Sequence, residues 1–395
     1  MKNIIIKAIG LSAALLLAAG TFAQKRTANY QRAEESLGTI TKLYGVPDGK
    51  NLFRETYPYD DTYSANYLGG GENEKKSNPY SYLWPFSGSL SAYVALFEQS
   101  GDPAIRKHID DVVLPGLENY YDTRQPAAYA SYVNSAPLSD RFYDDNIWLG
   151  IDFVDLFLST KDQAYLDKAV EIWSFVASGM DDKLGGGIYW CEQRKESKNT
   201  CSNAPAVVYL LKLFQATGNK DYLSEAKALY DWTKKHLQDP DDYLYWDNIN
   251  LAGKVQEAKY PYNTGQMVQA GALLYKLTKE KKYLKDAQES AAAGLTYFFE
   301  RDGGGKAKSS YPRLKRSDNW FIAIMLRGYI ELYRQDKDRR YIDAFKANLD
   351  YAWDDMRDNN GLFGRDWTKR TESSGKRWLL DQFAMAEMFA RLAKY

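Results

Sequence analysis

Asp144 and Asp145 are the residues of this chain best suited to chemistry. They stand side by side in Phe142-Tyr143-Asp144-Asp145-Asn146-Ile147-Trp148-Leu149-Gly150, where an apolar helical pattern begins among aromatic residues. Neighbouring helical residues project about 100° apart, because a turn takes about 3.6 residues. Two carboxyl groups so placed can face two sides of one bound acetal. Mutual repulsion raises the pKa of one, as a general acid requires. The helix N-terminus favours the other as an ionised nucleophile. Adjacent Cβ atoms also favour the short carboxyl separation of a double displacement, about 5–5.5 Å, over the about 6.5–9.5 Å of direct hydrolysis. Spacing does not say which Asp plays which part. Helix capping is the competing explanation; it accounts for one Asp, not for two set between Tyr143 and Trp148.

Other chemistries are poorly supplied. Asp-Asp pairs recur at 60–61, 110–111, 181–182, 241–242 and 354–355, but these fall in outer helices or polar loops. Histidine occurs only at His108 and His236, both in predicted outer helices, which argues against histidine triads and histidine-rich metal sites. No glycine-rich phosphate loop or calcium-loop pattern is present, so no metal and no cofactor is expected. Cys191 and Cys201 flank a polar loop; a disulfide closing it and two free thiols are both open readings.

Those residues must be positioned, and the chain repeats itself to do so. Phrases resembling Lys161-Asp162-Gln163-Ala164-Tyr165-Leu166 return, with Tyr165, Tyr222, Tyr283 and Tyr341 marking a period of about 60 residues. Each unit holds an apolar helix, buried on all sides, then an amphipathic one that lies outside. Six inner helices are predicted at about 86–99, 144–158, 202–215, 263–277, 318–333 and 378–393. Outer helices follow the first five at about 103–121, 162–178, 220–237, 280–299 and 338–356, and the N-terminal helix, about 25–44, can partner the sixth. Closed head to tail, six hairpins make an all-α (α/α)6 barrel, with an open solenoid or a seventh pair as the alternative. The long outer-to-inner connections carry Gly and aromatics, as in Leu184-Gly185-Gly186-Gly187-Ile188-Tyr189-Trp190. They are expected to form short β-hairpins on the rim where the inner helices start.

Residues 1–23 read as a signal peptide: Lys2 and Lys7, an apolar run from Ala8 to Ala19, and Thr21-Phe22-Ala23 as a small-x-small exit. That leaves residues 24–395 as one exported domain, periplasmic or secreted, without a cysteine for lipid attachment and without a membrane span. Its 50 basic against 52 acidic residues offer nucleic acid no footing. A monomer is expected. The 32 Tyr and 10 Trp, many in polar stretches, suit the flat faces of sugars as well as a core.

Four phrases give a sharper reading. Tyr143-Asp144-Asp145-Asn146-Ile147-Trp148, Gly186-Gly187-Ile188-Tyr189-Trp190, Lys198-Asn199-Thr200-Cys201-Ser202-Asn203 and Tyr262-Asn263-Thr264-Gly265 resemble the successive motifs of glycoside hydrolase family 76. Ile147, and Ala204 where Gly is usual, are mild departures. The resemblance implies an (α/α)6 barrel and retaining, endo-acting cleavage of α-1,6-mannan, with Asp144 as nucleophile and Asp145 as acid/base. It also implies a sugar site around Tyr143 and Tyr262. Asn199, Asn203 and Asn263 are candidates for hydroxyl recognition. Trp84, Trp190, Trp246, Trp320 and Trp378 are candidates for stacking, and Asp318 and Gln382 for further contacts. A transglycosidase, a non-catalytic glycan-binding barrel and a helical-repeat scaffold are the competing functions.

Overall fold

A computed structural model describes residues 26–60, 79–135, 138–300 and 310–395. The expected signal peptide, 1–23, lies outside the described residues. The chain runs α1 (Ala28–Tyr44), α2 (Leu83–Ser100), α3 (Pro103–His108), α4 (Leu114–Leu117) and α5 (Tyr143–Thr160). It continues through α6 (Gln163–Ala177), α7 (Thr200–Thr217), α8 (Lys220–Leu237), α9 (Pro261–Thr278) and α10 (Lys281–Tyr297). The last elements are α11 (Asn319–Asp336), α12 (Arg340–Tyr351) and α13 (Leu379–Arg391).

Helices α2, α5, α7, α9, α11 and α13 each pack on the next, and α13 returns to α2, so the inner ring closes. Helix α1 packs on α13 and supplies the sixth outer partner. The fold is an (α/α)6 barrel, as expected, and the inner helices begin within three residues of their predicted starts. Two outer helices depart from expectation. The one expected at 338–356 ends its α-helix at Tyr351 and closes with a π-helical turn at Ala352–Met356, and the first is broken more severely. The stretch expected at 103–121 breaks into α3, a π-helical turn at Ile109–Val113, α4 and a 3-10 turn. Pro115 is the physical reason: it lacks an N–H and its ring crowds the carbonyl of Asp111 four residues back.

The inner-to-outer turns are copies of one another. Each inner helix from α2 to α11 ends on a left-handed residue: Gly101, Lys161, Gly218, Lys279 and Lys337. Its N–H bonds the carbonyl of an aromatic residue, Phe97, Phe157, Phe214, Tyr275 and Tyr333 respectively. Glycine adopts this conformation freely, whereas lysine incurs steric strain. Each of the three lysines sets its ammonium 5.4–5.6 Å from the ring of that same aromatic, which offsets part of the cost.

Two glycines let α9 and α11 touch. A Cβ on Gly328 would lie 2.1 Å from the Gly265 carbonyl oxygen, and one on Gly265 2.3 Å from Met325 Cα. One turn from that contact, Tyr262 stacks on Phe321 with ring centroids 4.1 Å apart.

The rim is less a set of hairpins than expected. True hairpins are β2 (Tyr121–Asp122) with β3 (Ala128–Tyr129), β5 (Trp246–Asn250) with β6 (Val255–Lys259), and β7 (Phe299–Glu300) with β8 (Arg313–Leu314). However, β4 (Ser197–Asn199) joins β5 from a different loop, and β1 (Thr56–Tyr57) pairs with β9 (Arg377–Trp378) across the ends of the chain. A recurrent side-chain clamp fixes three of these loops. The fourth residue of α5, α7 and α13 is an amide: Asn146, Asn203 and Gln382. Its oxygen accepts the N–H, and its nitrogen meets the carbonyl, of one loop residue. These pairs are Asn146 with Tyr129, Asn203 with Ile188 and Gln382 with Phe363, at 2.7–3.0 Å. The same nitrogens also donate to the carbonyl four residues back, on Phe142, Asn199 and Trp378. Thr264 does half of this in α9, its hydroxyl accepting the Tyr245 N–H.

Candidate active site

The N-terminal turns of the inner helices surround a cleft of about 1010 Å3. Asp144 and Asp145 come from α5, Asn199 and Cys201 from the start of α7, Tyr262 from α9, and Asp318, Trp320 and Phe321 from the start of α11. Trp84 of α2 is shared, with Arg316, Asp318 and Phe321, between the cleft and a side lobe of about 470 Å3, lined also by Trp378 of β9 and Asp381 of α13.

The two aspartates have unlike surroundings. Asp144 Oδ1 accepts the Asp145 N–H at 3.0 Å. Its Oδ2 accepts the Trp190 indole N–H at 3.1 Å and the Cys201 thiol at 3.2 Å. Burial pushes Asp144 up to about 6, with these three donors pulling the other way. Asp145 is 8 % exposed and has no hydrogen-bond donor among the described residues. Burial first, and the Asp144 charge second, hold it well above the usual carboxylate range. At neutral pH the arrangement favours one charged and one protonated carboxyl.

The profile of Glycosyl hydrolase family 76 matches residues 55–394. The chain belongs to glycoside hydrolase family 76. A family 76 mannosidase from Bacteroides thetaiotaomicron VPI-5482 is 32 % identical, covers 92 % of this chain and 98 % of its own, and superposes with a TM-score of 0.81. An α-1,6-mannanase of Salegentibacter sp. HEL1_6 is 25 % identical over 92 % of this chain and 98 % of its own, with a TM-score of 0.72. That structure holds α-1,6-mannotetrose in a variant described as inactive, in which two consecutive aspartates are alanine. Mannan endo-1,6-alpha-mannosidase DCW1 of Candida glabrata is 31 % identical over 29 % of this chain and 27 % of its own. This family 76 chain spans about half or less of the length of the curated relatives it matches.

Several of the expected site residues meet in the cleft. Trp84, Trp190, Asn199, Tyr262, Trp320 and Asp318 line it. Trp378 lines the side lobe, its indole N–H on Glu55 at 2.6 Å. Asp318 is paired with Arg365 at 2.6 Å. Asn263 is fully buried behind Asp247 and does not itself line the cleft.

Four expectations give way to structural roles. Tyr143 is fully buried and stacks on Phe175 at 4.8 Å, because the first helical residue points to the outer layer. Asn203 and Gln382 spend both amide atoms on the loop clamps. Trp246 does not line the cleft; its side chain lies beside Asp239, and its carbonyl accepts the Thr200 hydroxyl. Cys191 and Cys201 are both free thiols, and Cys201 faces Asp144. His108 and His236 pack on Tyr93 and Trp232 in the outer layer.

Sequence reasoning missed Asp247, Tyr260 and Phe321, which also line the cleft. Burial raises the Asp247 carboxyl, against the Asn248 and Asn263 amides. Neighbouring Tyr-rich and helix-start positions were the available signal for Tyr260 and Phe321; Asp247 had none. Among the described residues no helix is long and apolar enough to cross a membrane.

Proposed function

We propose that the protein is an exported, retaining glycoside hydrolase that cuts α-1,6-linked mannan within the chain. The observation that carries this reading is the cleft-facing pair of adjacent aspartates, one held ionised by three donors and the other held protonated. The Salegentibacter mannanase, with its mannotetrose and its pair of replaced aspartates, supports both the substrate and the residues. The yeast-type relatives support the linkage.

In the first step the Asp145 carboxyl gives its proton to the glycosidic oxygen while the Asp144 carboxylate attacks the anomeric carbon. The leaving chain departs as an alcohol and the sugar remains esterified to Asp144. In the second, Asp145 takes a proton from water, the water oxygen attacks the same carbon, and Asp144 leaves as carboxylate. Two inversions give net retention. Trp190 and Cys201 fix Asp144 Oδ2, so the nucleophile meets the sugar without reorganising.

Debranched α-1,6-mannan is the test substrate. Mannose oligomers whose first-formed reducing ends are α-anomers by NMR are the expected product; β-anomers would remove the double displacement, and intact polymer would remove the hydrolase reading. The Cys201 contact gives a second expected result. Cys201→Ala removes a donor to ionised Asp144, so its pKa rises and the acidic limb of the kcat/KM profile moves to higher pH. A shift of about half a unit to one unit is expected, since a thiol is a weak donor. Cys201→Ser keeps a donor and restores the parent profile.

A further inference from the structure

Six large hydrophobic side chains are the most exposed among the described residues: Tyr59, Leu138, Val170, Tyr243, Tyr260 and Tyr297. Three of these are not scattered. Tyr260 lines the cleft, Tyr297 lines both the cleft and a shallow groove of about 570 Å3 outside it, and Tyr243 lies in that groove. Lys315 is shared by cleft and groove in the same way. The groove therefore leads out of the cleft, over the rim and onto the outward face of α10.

That face is unusual for an outer helix. Positions 292, 293, 296 and 297 form one stripe, and they are Ala, Ala, Thr and Tyr where charged residues normally meet water. The alanines make a flat floor, with a tyrosine at either end. Tyr243 stands there at a conformational cost. Its φ is 63°, in the left-handed region that disfavours side chains. The loop holds it so: its N–H bonds the Asp239 carbonyl at 2.9 Å, and its own carbonyl accepts the buried Ser290 hydroxyl at 2.9 Å. A glycine would fit this backbone without strain, yet the chain presents an aromatic ring at 43 % exposure.

The edges carry both signs of charge, Asp242 and Glu289 against Lys315, and Asp242 is itself paired with Lys259 at 2.7 Å. No net field selects an ion. Exposed tyrosines over an apolar floor suit instead the flat faces of a neutral polyhydroxyl chain. We infer that this groove is an outlying glycan-binding track, which holds the part of an α-mannan chain that continues beyond the cleft. The inference rests on the hydrolase reading for the identity of the polymer, and on the shared Tyr297 and Lys315 for its continuity.

Tyr243→Gly removes the ring and also relieves the backbone, so it does not work by unfolding the protein; Ala293→Arg obstructs the floor independently. In an Asp144→Asn/Asp145→Asn background, each is run through native gels containing α-1,6-mannan and titrated with α-1,6-mannotetraose. Both should weaken retardation by the polymer about 3- to 10-fold, the scale of one lost aromatic contact, and leave tetraose affinity unchanged. In the active parent background kcat/KM should fall similarly on polymer and stay constant on tetraose. Unchanged polymer binding, or an equal loss on the tetraose, overturns the track. A parent that cleaves mannan regardless of Tyr243 removes the track alone. Tyr243-dependent retardation without cleavage keeps the track and removes the hydrolase reading; neither binding nor cleavage removes both.

Discussion

Asp145→Asn is expected to lower kcat/KM on α-1,6-mannan by about 10²- to 10⁴-fold, the usual contribution of a positioned proton donor. Asp144→Asn should leave no measurable turnover, since no covalent intermediate can form without the carboxylate. The asymmetry is testable with an aryl α-mannoside whose phenolate leaves without protonation. Asp145→Asn should then retain a far larger share of its first-step rate, seen as a burst of phenolate, while Asp144→Asn stays silent. Equal kcat/KM on mannan for the parent and either variant would exclude that residue from the chemistry.

The same substitutions should stabilise the fold. Asp144 is raised to about 6 by burial, above the about 3.9 of an unfolded Asp. A raised carboxyl is at no disadvantage below the unfolded value, and stability is lost as pH climbs from there through the folded value. At pH 7 the Asp144→Asn variant should therefore unfold at higher denaturant, by about 3 kcal/mol, and the gap should close as pH falls from about 6 to 4. Loss of activity with gain of stability separates a functional carboxyl from a structural one.

The opposite pattern is expected at Glu387→Gln, deep in the barrel. Glu387 is fully buried, and both its oxygens are engaged by Arg327 Nε and Nη2 at 2.6 and 2.9 Å. Arg391 adds a third bond at 2.5 Å. The Arg327 guanidinium lies 5.4 Å from the Trp320 ring and 6.0 Å from that of Trp148, just beneath the cleft. Burial pushes Glu387 up, but Arg327 and Arg391 outweigh it and bring it down to about 2. Removing its charge strips Arg327 of its bidentate partner and leaves Arg391 with the longer Glu98 contact at 3.4 Å, a loss of about 3–5 kcal/mol, readable as a lower denaturation midpoint. For the parent, a depressed carboxyl stabilises above the unfolded value of about 4.3, and this contribution disappears as pH falls towards about 2. An unchanged midpoint at neutral pH would show that the triad contributes nothing net.

The barrel was legible because its two kinds of helix differ at every turn. Tyr165, Tyr222, Tyr283 and Tyr341 repeat in the outer layer, and runs such as Val207-Val208-Tyr209-Leu210-Leu211 admit only a buried helix. The acid pair was legible because Asp144 and Asp145 begin one of those runs. Loop residues were harder, since their partners are remote in sequence. Asn203 and Gln382 carry the functional groups expected of sugar ligands, but the structure consumes those groups on Ile188 and Phe363. Tyr143 sits inside the motif yet turns towards Phe175. The contact of Cys201 with Asp144, 57 positions away, has no local signature. The pairing of β4 with β5, rather than each within its own loop, is likewise a tertiary choice.

The amides Asn146, Asn203 and Gln382 bind main-chain atoms only, and each reaches a residue 15–19 positions upstream in its own repeat. Such an anchor is indifferent to the side chains it holds. Stretches of rim beyond it can be lengthened, shortened or exchanged without moving the helix start that carries Asp144 and Asp145. The architecture thus separates an inherited reaction centre from replaceable surroundings, and leaves each recess around it free to diverge on its own.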